Sequence, residues 1–291
     1  MQLTKNFIKA KNPCASGYKW FLRNRNGHGE YQEILDALVA EGRIEDACWL
    51  LDHFGPTDTV LTVDTLDVDN IVYAGTIVVR RSANAEGLLR AGAGIKISGG
   101  MRAGKSIVAG ADIECAASIS CGGDIVAGGD IHAGWGVQSD ENLRCKGELR
   151  VQWDVEVAND LDVGRNLRAG KGVSAGGRLR CGEGIRSGGD VRAGGELIAD
   201  CGIQAAGSIV AGASLDVGWG LAAGGDISAD GTIKSGEGIV AGGVIQPGSG
   251  HAIYAGLRVR LDAWEVAARV LAASRPEGLI SGYWAADEAY A

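Results

Sequence analysis

Residues 101–136 read MRAGKSIVAGADIECAASISCGGDIVAGGDIHAGWG, and an aliphatic residue returns at every sixth position: Met101, Ile107, Ile113, Ile119, Ile125 and Ile131. Outward from this stretch the row runs from Leu89 to Ile245 without insertion or deletion. It makes twenty-six steps of six, hence 27 positions, all Ile, Leu, Val or Met. In a hexad such as IVAGGD at 125–130, Ile125 and Ala127 are two apart and share one face of a strand, while Val126 points the other way. Gly, Gly and Asp then form a corner: glycine is free to take positive φ, and Asp can bond nearby backbone. Each hexad is a short strand plus a corner.

Strands this short cannot pair back on themselves as hairpins. Laying each hexad over one in the next coil pairs every backbone group. The class expected is all-β, a three-sided parallel β-helix solenoid with about 18 residues per coil, each coil rising about 4.8 Å. The small inward residue after each aliphatic one (Ala103, Ala109, Cys115, Ala127) suits a narrow bore. Earlier inward pairs, Leu61/Val63, Leu66/Val68, Ile71/Tyr73 and Ile77/Val79, start the array on slightly shorter sides. RRSANAEG at 80–87 breaks the apolar pattern and is expected to bulge or loop. The solenoid is placed at 58–258, with strict hexads over 89–245.

These hexads resemble those of hexapeptide-repeat β-helices, and GGDIVAGGDIHAG resembles the core of bactofilins. The resemblance covers about two thirds of the chain and implies architecture and a bacterial or phage setting. Hexapeptide acyltransferases with left-handed coils place the small residue two before the aliphatic one. Here it follows by two, an order that favours right-handed winding. The family's enzymes carry a catalytic histidine and loops extruded from the coils. This array extrudes none, and its internal histidine, His132, points outward with no evident carboxylate partner.

The ends differ in composition. Residues 1–57 form a small, mostly helical cap: EYQEILDALVAEG (30–42) and RIEDACWLLDHFG (43–55) carry apolar residues at helical spacing, with Gly42 and Gly55 as stops. NPCASGYKWFLRN before them is expected to be a strand or irregular plug. The segment 259–291 is expected to be an irregular tail over the other end, as solenoids need their edge strands covered.

A net charge of −8 and hydrophobic content of 46% describe a folded acidic chain. That balance argues against bulk affinity for nucleic acid or membranes. No leader-like apolar run opens the chain, so a cytoplasmic protein is expected. The seven cysteines include no CxxC pair, and the four that stand two residues after a row position, Cys115, Cys121, Cys145 and Cys181, read as small buried residues in a reducing compartment. Neither a metal nor a cofactor is expected; Cys14, Cys48 and His53 lack ligand spacing. Asp and Glu before the aliphatic position, as at Asp112, Asp124 and Asp130, read as turn caps.

Counting by 18 finds one unusual surface. Arg150, Arg168 and Arg186 form an outward column with His132 before them, and Trp135, Trp153 and Lys171 form a corner column beside it. Trp and Arg are enriched in binding hot spots. Those seven residues are the candidate partner-binding strip. The expected function is a noncatalytic rigid scaffold or inhibitor whose partner is another protein, with homodimerisation through a solenoid face as the companion case. The alternatives are an acidic DNA-mimic inhibitor of a nucleic-acid enzyme and a hexapeptide-type acyltransferase.

Overall fold

The chain winds as a parallel β-solenoid of about 12 turns, seen in a computed structural model that describes residues 1–259 and 263–285. Three parallel sheets of 13, 11 and 12 strands form its sides, called here faces 1, 2 and 3. One coil runs through Ile113–Cys115 on face 1, Ile119–Cys121 on face 2 and Ile125–Ala127 on face 3. The next strand, Ile131–Ala133, lies over the first with Ile113 opposite Ile131. Six residues per side and three sides per coil give the step of 18. The opening coil is tighter: Leu61 lies opposite Ile77, Leu66 opposite Ala83 and Ile71 opposite Leu89.

The aliphatic row and the small residue two after it line one continuous core through the bore. The segment 80–87 is no loop. Ala83–Ala85 is a strand of face 2, with Ala83 and Ala85 both buried. Polar neighbours masked a pair whose inward members had shrunk to methyl groups, and a narrow bore accepts them.

Small inward residues do more than fill space. The thiol of Cys115 donates to the Gly99 carbonyl at 3.0 Å, and Ser139 Oγ donates to the Gly123 carbonyl at 2.7 Å. Cys115, Cys121 and Cys181, like Ser139, Ser187 and Ser235, thus satisfy a corner carbonyl of the preceding coil, so these cysteines are donors as well as apolar filler. Burial pushes the thiols up, Cys145 to about 12 and Cys181 to about 11.

Corner glycines act through space. Positive φ occurs at Gly42, Gly55, Gly250, Gly256 and other glycines near the two ends, and at none of the strict array's corners. In the corners the coils approach closely: a Cβ on Gly128 would sit 2.0 Å from the Gly110 carbonyl oxygen. The corner carboxylates follow the capping logic. Asp112 Oδ1 accepts the Asp130 amide at 2.8 Å, and Asp130 Oδ1 accepts the Glu148 amide at 2.7 Å. On the corner leading into face 3, Asp124, Asn142 and Asp160 do the same for the residues 18 further on. Asp130→Ala should cost about 1–3 kcal/mol by stranding that amide, read as a lower urea midpoint. Asp130→Asn keeps an acceptor and should cost less; equal losses would contradict the capping role.

The N-terminal region is helical, with its own apolar core. It contains α1 (Lys5–Lys9), α2 (Ala15–Asn24), α3 (Tyr31–Ala40) and α4 (Ile44–Phe54), and Gln2–Thr4 pairs antiparallel with His28–Glu30. The stretch expected as a strand or plug is α2. Cys14 caps it by accepting the Gly17 amide, and Trp20 and Phe21 are buried. Trp20 also donates to Glu41 at 2.6 Å, a contact invisible along the chain.

This helical region packs on the first strand of face 3, burying Val72 and Ala74. Gln32 of α3 donates to the Val72 carbonyl at 3.1 Å and accepts the Ala74 amide at 2.8 Å. Its amide thus occupies the place of a residue in a neighbouring strand and closes that edge. Asp52 of α4 pairs with Arg90 of the next coil. Around the rest of the first coil, Asp58, Asp64, Asp67 and Asp69 are exposed, and charge blunts an edge.

The tail rejoins two of the faces. After uneven inserts, Val270 lies opposite Ile239 on face 1, Leu279 opposite Ile253 on face 3, and Trp284 opposite Val270. Face 2 ends at Ile245–Gln246. A short helix, α5 (Trp264–Ala267), precedes the return to face 1. Residues 260–262 and 286–291 of the expected tail lie outside the described residues.

Candidate functional site: the arginine face and its tryptophan edge

On face 1 the outward residue of each strand projects away from the bore, so one side chain per coil builds a column. Lys96, Glu114, His132, Arg150, Arg168, Arg186 and Gln204 follow one another in strict register. All seven are exposed. Among the described residues, Arg168 alone of the three arginines reaches a carboxylate, Glu148 at 3.3 Å. Arg150 and Arg186 have no carboxylate partner among the described residues. Asp154 and Asp190, close to the arginines in sequence, are turned to other work. Asp154 accepts the Gly172 amide, and Asp190 accepts the Ser208 amide while pairing with Arg192 on face 2.

Like charges about 5 Å apart repel by roughly 1 kcal/mol in bulk water and more near a low-dielectric surface. The strands' register sets the arginine backbones one strand spacing apart, so their guanidinium groups either splay or repel, and a bound anionic group would relieve that cost.

The corner between faces 1 and 2 holds the tryptophans. Trp135 and Trp153 stack with ring centroids 5.9 Å apart and planes 15° apart. Their backbones are joined by the Trp153 amide donating to the Trp135 carbonyl at 3.2 Å. Lys171 places Nζ 4.4 Å from the centre of the Trp153 ring. The cation over the indole is thus a lysine of the same corner column. Trp135 and Trp153 remain 56% and 50% exposed despite the stack, a large apolar surface left in water.

Two features of this face lay outside the expected strip. The column continues past Gln204 into Ala222 and then Val240, so its character changes from cationic to apolar along the axis. Trp219, 58% exposed, stands on the corner at the opposite edge of face 1. The first was legible by extending the count of 18. The second lies on the other border of the face, which a count of 18 from Trp135 never reaches.

Two shallow depressions lie on face 1. One, of about 590 Å³, runs along Arg168, Arg186, Gln204, Ala222 and Val240 to Val266 of α5. The other, of about 370 Å³, lies over Lys96, Glu114, His132 and Arg150. His132 therefore does have a carboxylate neighbour, Glu114, which pairs with Lys96 at 2.6 Å. Among the described residues no cluster of three or more His, Cys, Asp or Glu is arranged to hold a metal. His53 stacks on Trp49, while Cys14 donates to Asp46.

No helix among the described residues is long and apolar enough to cross a membrane. A family model described as the YdhT N-terminal domain matches residues 1–54, the helical region alone. No curated protein and no solved structure matches the chain.

Proposed function

We propose that this chain is a noncatalytic interaction protein, a rigid β-solenoid presenting face 1 to another protein as scaffold or inhibitor. The observation that carries the reading is the column Arg150, Arg168 and Arg186, largely uncompensated, beside a half-exposed Trp135–Trp153 stack. A rigid platform of arginine and aromatic residues loses little conformational entropy on binding, which favours affinity. The depressions are open and lined largely by backbone and column residues, which suits docking better than acid–base chemistry. Signs alternate on the other faces, as in Arg144, Asp162 and Arg180 down face 3. That mixing weighs against DNA mimicry, which needs a long continuous negative face.

Affinity capture with the full chain from its native host, followed by mass spectrometry, tests the reading. Replacing Trp135, Arg150, Trp153 and Arg168 by Ala together should leave the melting temperature unchanged and weaken the specific partner by about 100-fold, near 2.7 kcal/mol. Capture indifferent to all four changes would remove face 1 as the binding surface.

A further inference from the structure

We propose that face 1, from Arg150 to Val240, receives a single amphipathic α-helix of a partner protein, acidic over one half and apolar over the other. The inference rests on the reading of this face as the docking surface, and it commits to the occupant's chemistry.

Width, spacing and charge order carry it. Each strand of face 1 spans three residues, about 10 Å, which matches the diameter of one helix with its side chains. Arg150 to Arg186 is two coil steps, about 9.6 Å. Carboxylates at i and i+7 of a helix lie about 10.5 Å apart along its axis, with i+4 between them. An extended strand sets its same-face residues about 6.7 Å apart and drifts from the arginines by about 4 Å over the same two steps.

Further along the column, Gln204, Ala222 and the 42%-exposed Val240 replace charge with apolar surface, and Val266 of α5 stands at the far end. The run from Arg150 to Val240 is five coil steps, about 24 Å, the length of a helix of about 16 residues.

The flanks agree. On the corner leading into face 1, residues 112, 130 and 148 are Asp, Asp and Glu, but 184, 202, 220 and 238 are all Gly. At Gly220 an added Cβ would meet nothing closer than 3.8 Å, so internal packing does not require glycine there. The bare corner keeps the apolar half of the face flush. Trp153 and Lys171 stand at one edge and Trp219 at the other, where they can grip a cylinder lying between them.

A second copy of the chain fits less well. A two-fold axis lying in the interface at the level of Arg168, at right angles to the solenoid axis, would set Arg150 of one copy against Arg186 of the other. Nucleic acid would meet one column of cations on a chain of net charge −8.

The test uses the full chain and a fluorescein-labelled, helix-stabilised peptide with Glu at i, i+4 and i+7 and Leu at i+11 and i+14. A scrambled isomer and oligothymidylate serve as comparators, with binding read by fluorescence anisotropy. The striped peptide should bind at least about tenfold tighter than its isomer. The Arg168→Glu/Arg186→Glu double variant and, separately, Val240→Glu should each remove that preference, with circular dichroism unchanged. Equal binding of the two peptides would overturn the proposal, as would tighter binding of oligothymidylate. So would a dimer in sedimentation that Arg168→Glu dissolves. If the arginine variants lose the captured host protein while the peptides show no preference, the helix assignment fails and the docking face stands. If capture ignores those variants, the reading of the face itself fails.

Discussion

Leu179→Asp is expected to abolish the cooperative melting of the coils, and Leu179→Ala to cost about 2–5 kcal/mol. Leu179 is fully buried in the bore and lies in register between Leu161 and Leu197 of face 3. A carboxylate there has no partner among aliphatic side chains, and an unpaired buried charge costs several kcal/mol beyond the lost packing. The position also matters through the architecture. A solenoid's stability is close to a sum over coils and the interfaces between them, so a mid-array lesion weakens two interfaces. Ile245 ends face 2 and pairs on one side only, with Ile227. Ile245→Ala should therefore cost clearly less than Leu179→Ala. Thermal melts followed by circular dichroism decide it; equal costs at the two sites would contradict stacked-coil energetics.

The second large effect concerns the helical region. Leu35→Asp should melt the helices while leaving the coils wound. Leu35 is fully buried in an apolar core distinct from that of the bore, with contact to the coils through Val72, Ala74 and Leu88. Loss of α3 would also withdraw Gln32, stranding the Val72 carbonyl and the Ala74 amide at an open sheet edge. An uncovered edge with an apolar neighbour recruits other chains. The expected result is a weaker helical signal, a retained β signal, and a higher solution mass by light scattering. Collapse of both signals together would show that the helices are needed to wind the coils. An unchanged mass would show that the edge needs no cover.

Most of the fold was legible because one physical rule repeats. A short strand with two inward positions and a tight corner leaves little freedom, so the row from Leu89 to Ile245 reads as a bore lining. The columns on face 1 then follow by adding 18, and the Trp135–Trp153 stack is a direct consequence. Legibility failed where the rule weakened. Ala83 and Ala85 keep the inward slots with side chains too small to announce themselves. In the tail, Val270 and Trp284 rejoin face 1 after inserts of unequal length, so no period marks them.

α2 depends on tertiary packing. Its cap is a cysteine, its interior holds Gly17, and Trp20 is secured by Glu41 from beyond the end of α3. At the candidate site, residue identities were readable and their partners were not. Asp154 and Asp190 lie near the arginines in sequence, but the backbone amides of the next coil claim their carboxylates. Trp219 falls outside the expected strip because a face has two borders, and counting along one border never reaches the other.

Every column on face 1 exists because each coil spends 18 residues to climb one strand spacing. Spin labels at Ser120→Cys and Ser228→Cys, with the native thiols of Cys14, Cys48 and Cys201 removed, test that rule by pulsed electron–electron resonance. Both sites are outward positions of face 2, six coils apart by register. The expected result is a single narrow distribution near 29 Å, about 4.8 Å per coil. A broad distribution, or a maximum displaced by two or more coil rises, would contradict the winding and dissolve the arginine and tryptophan columns with it.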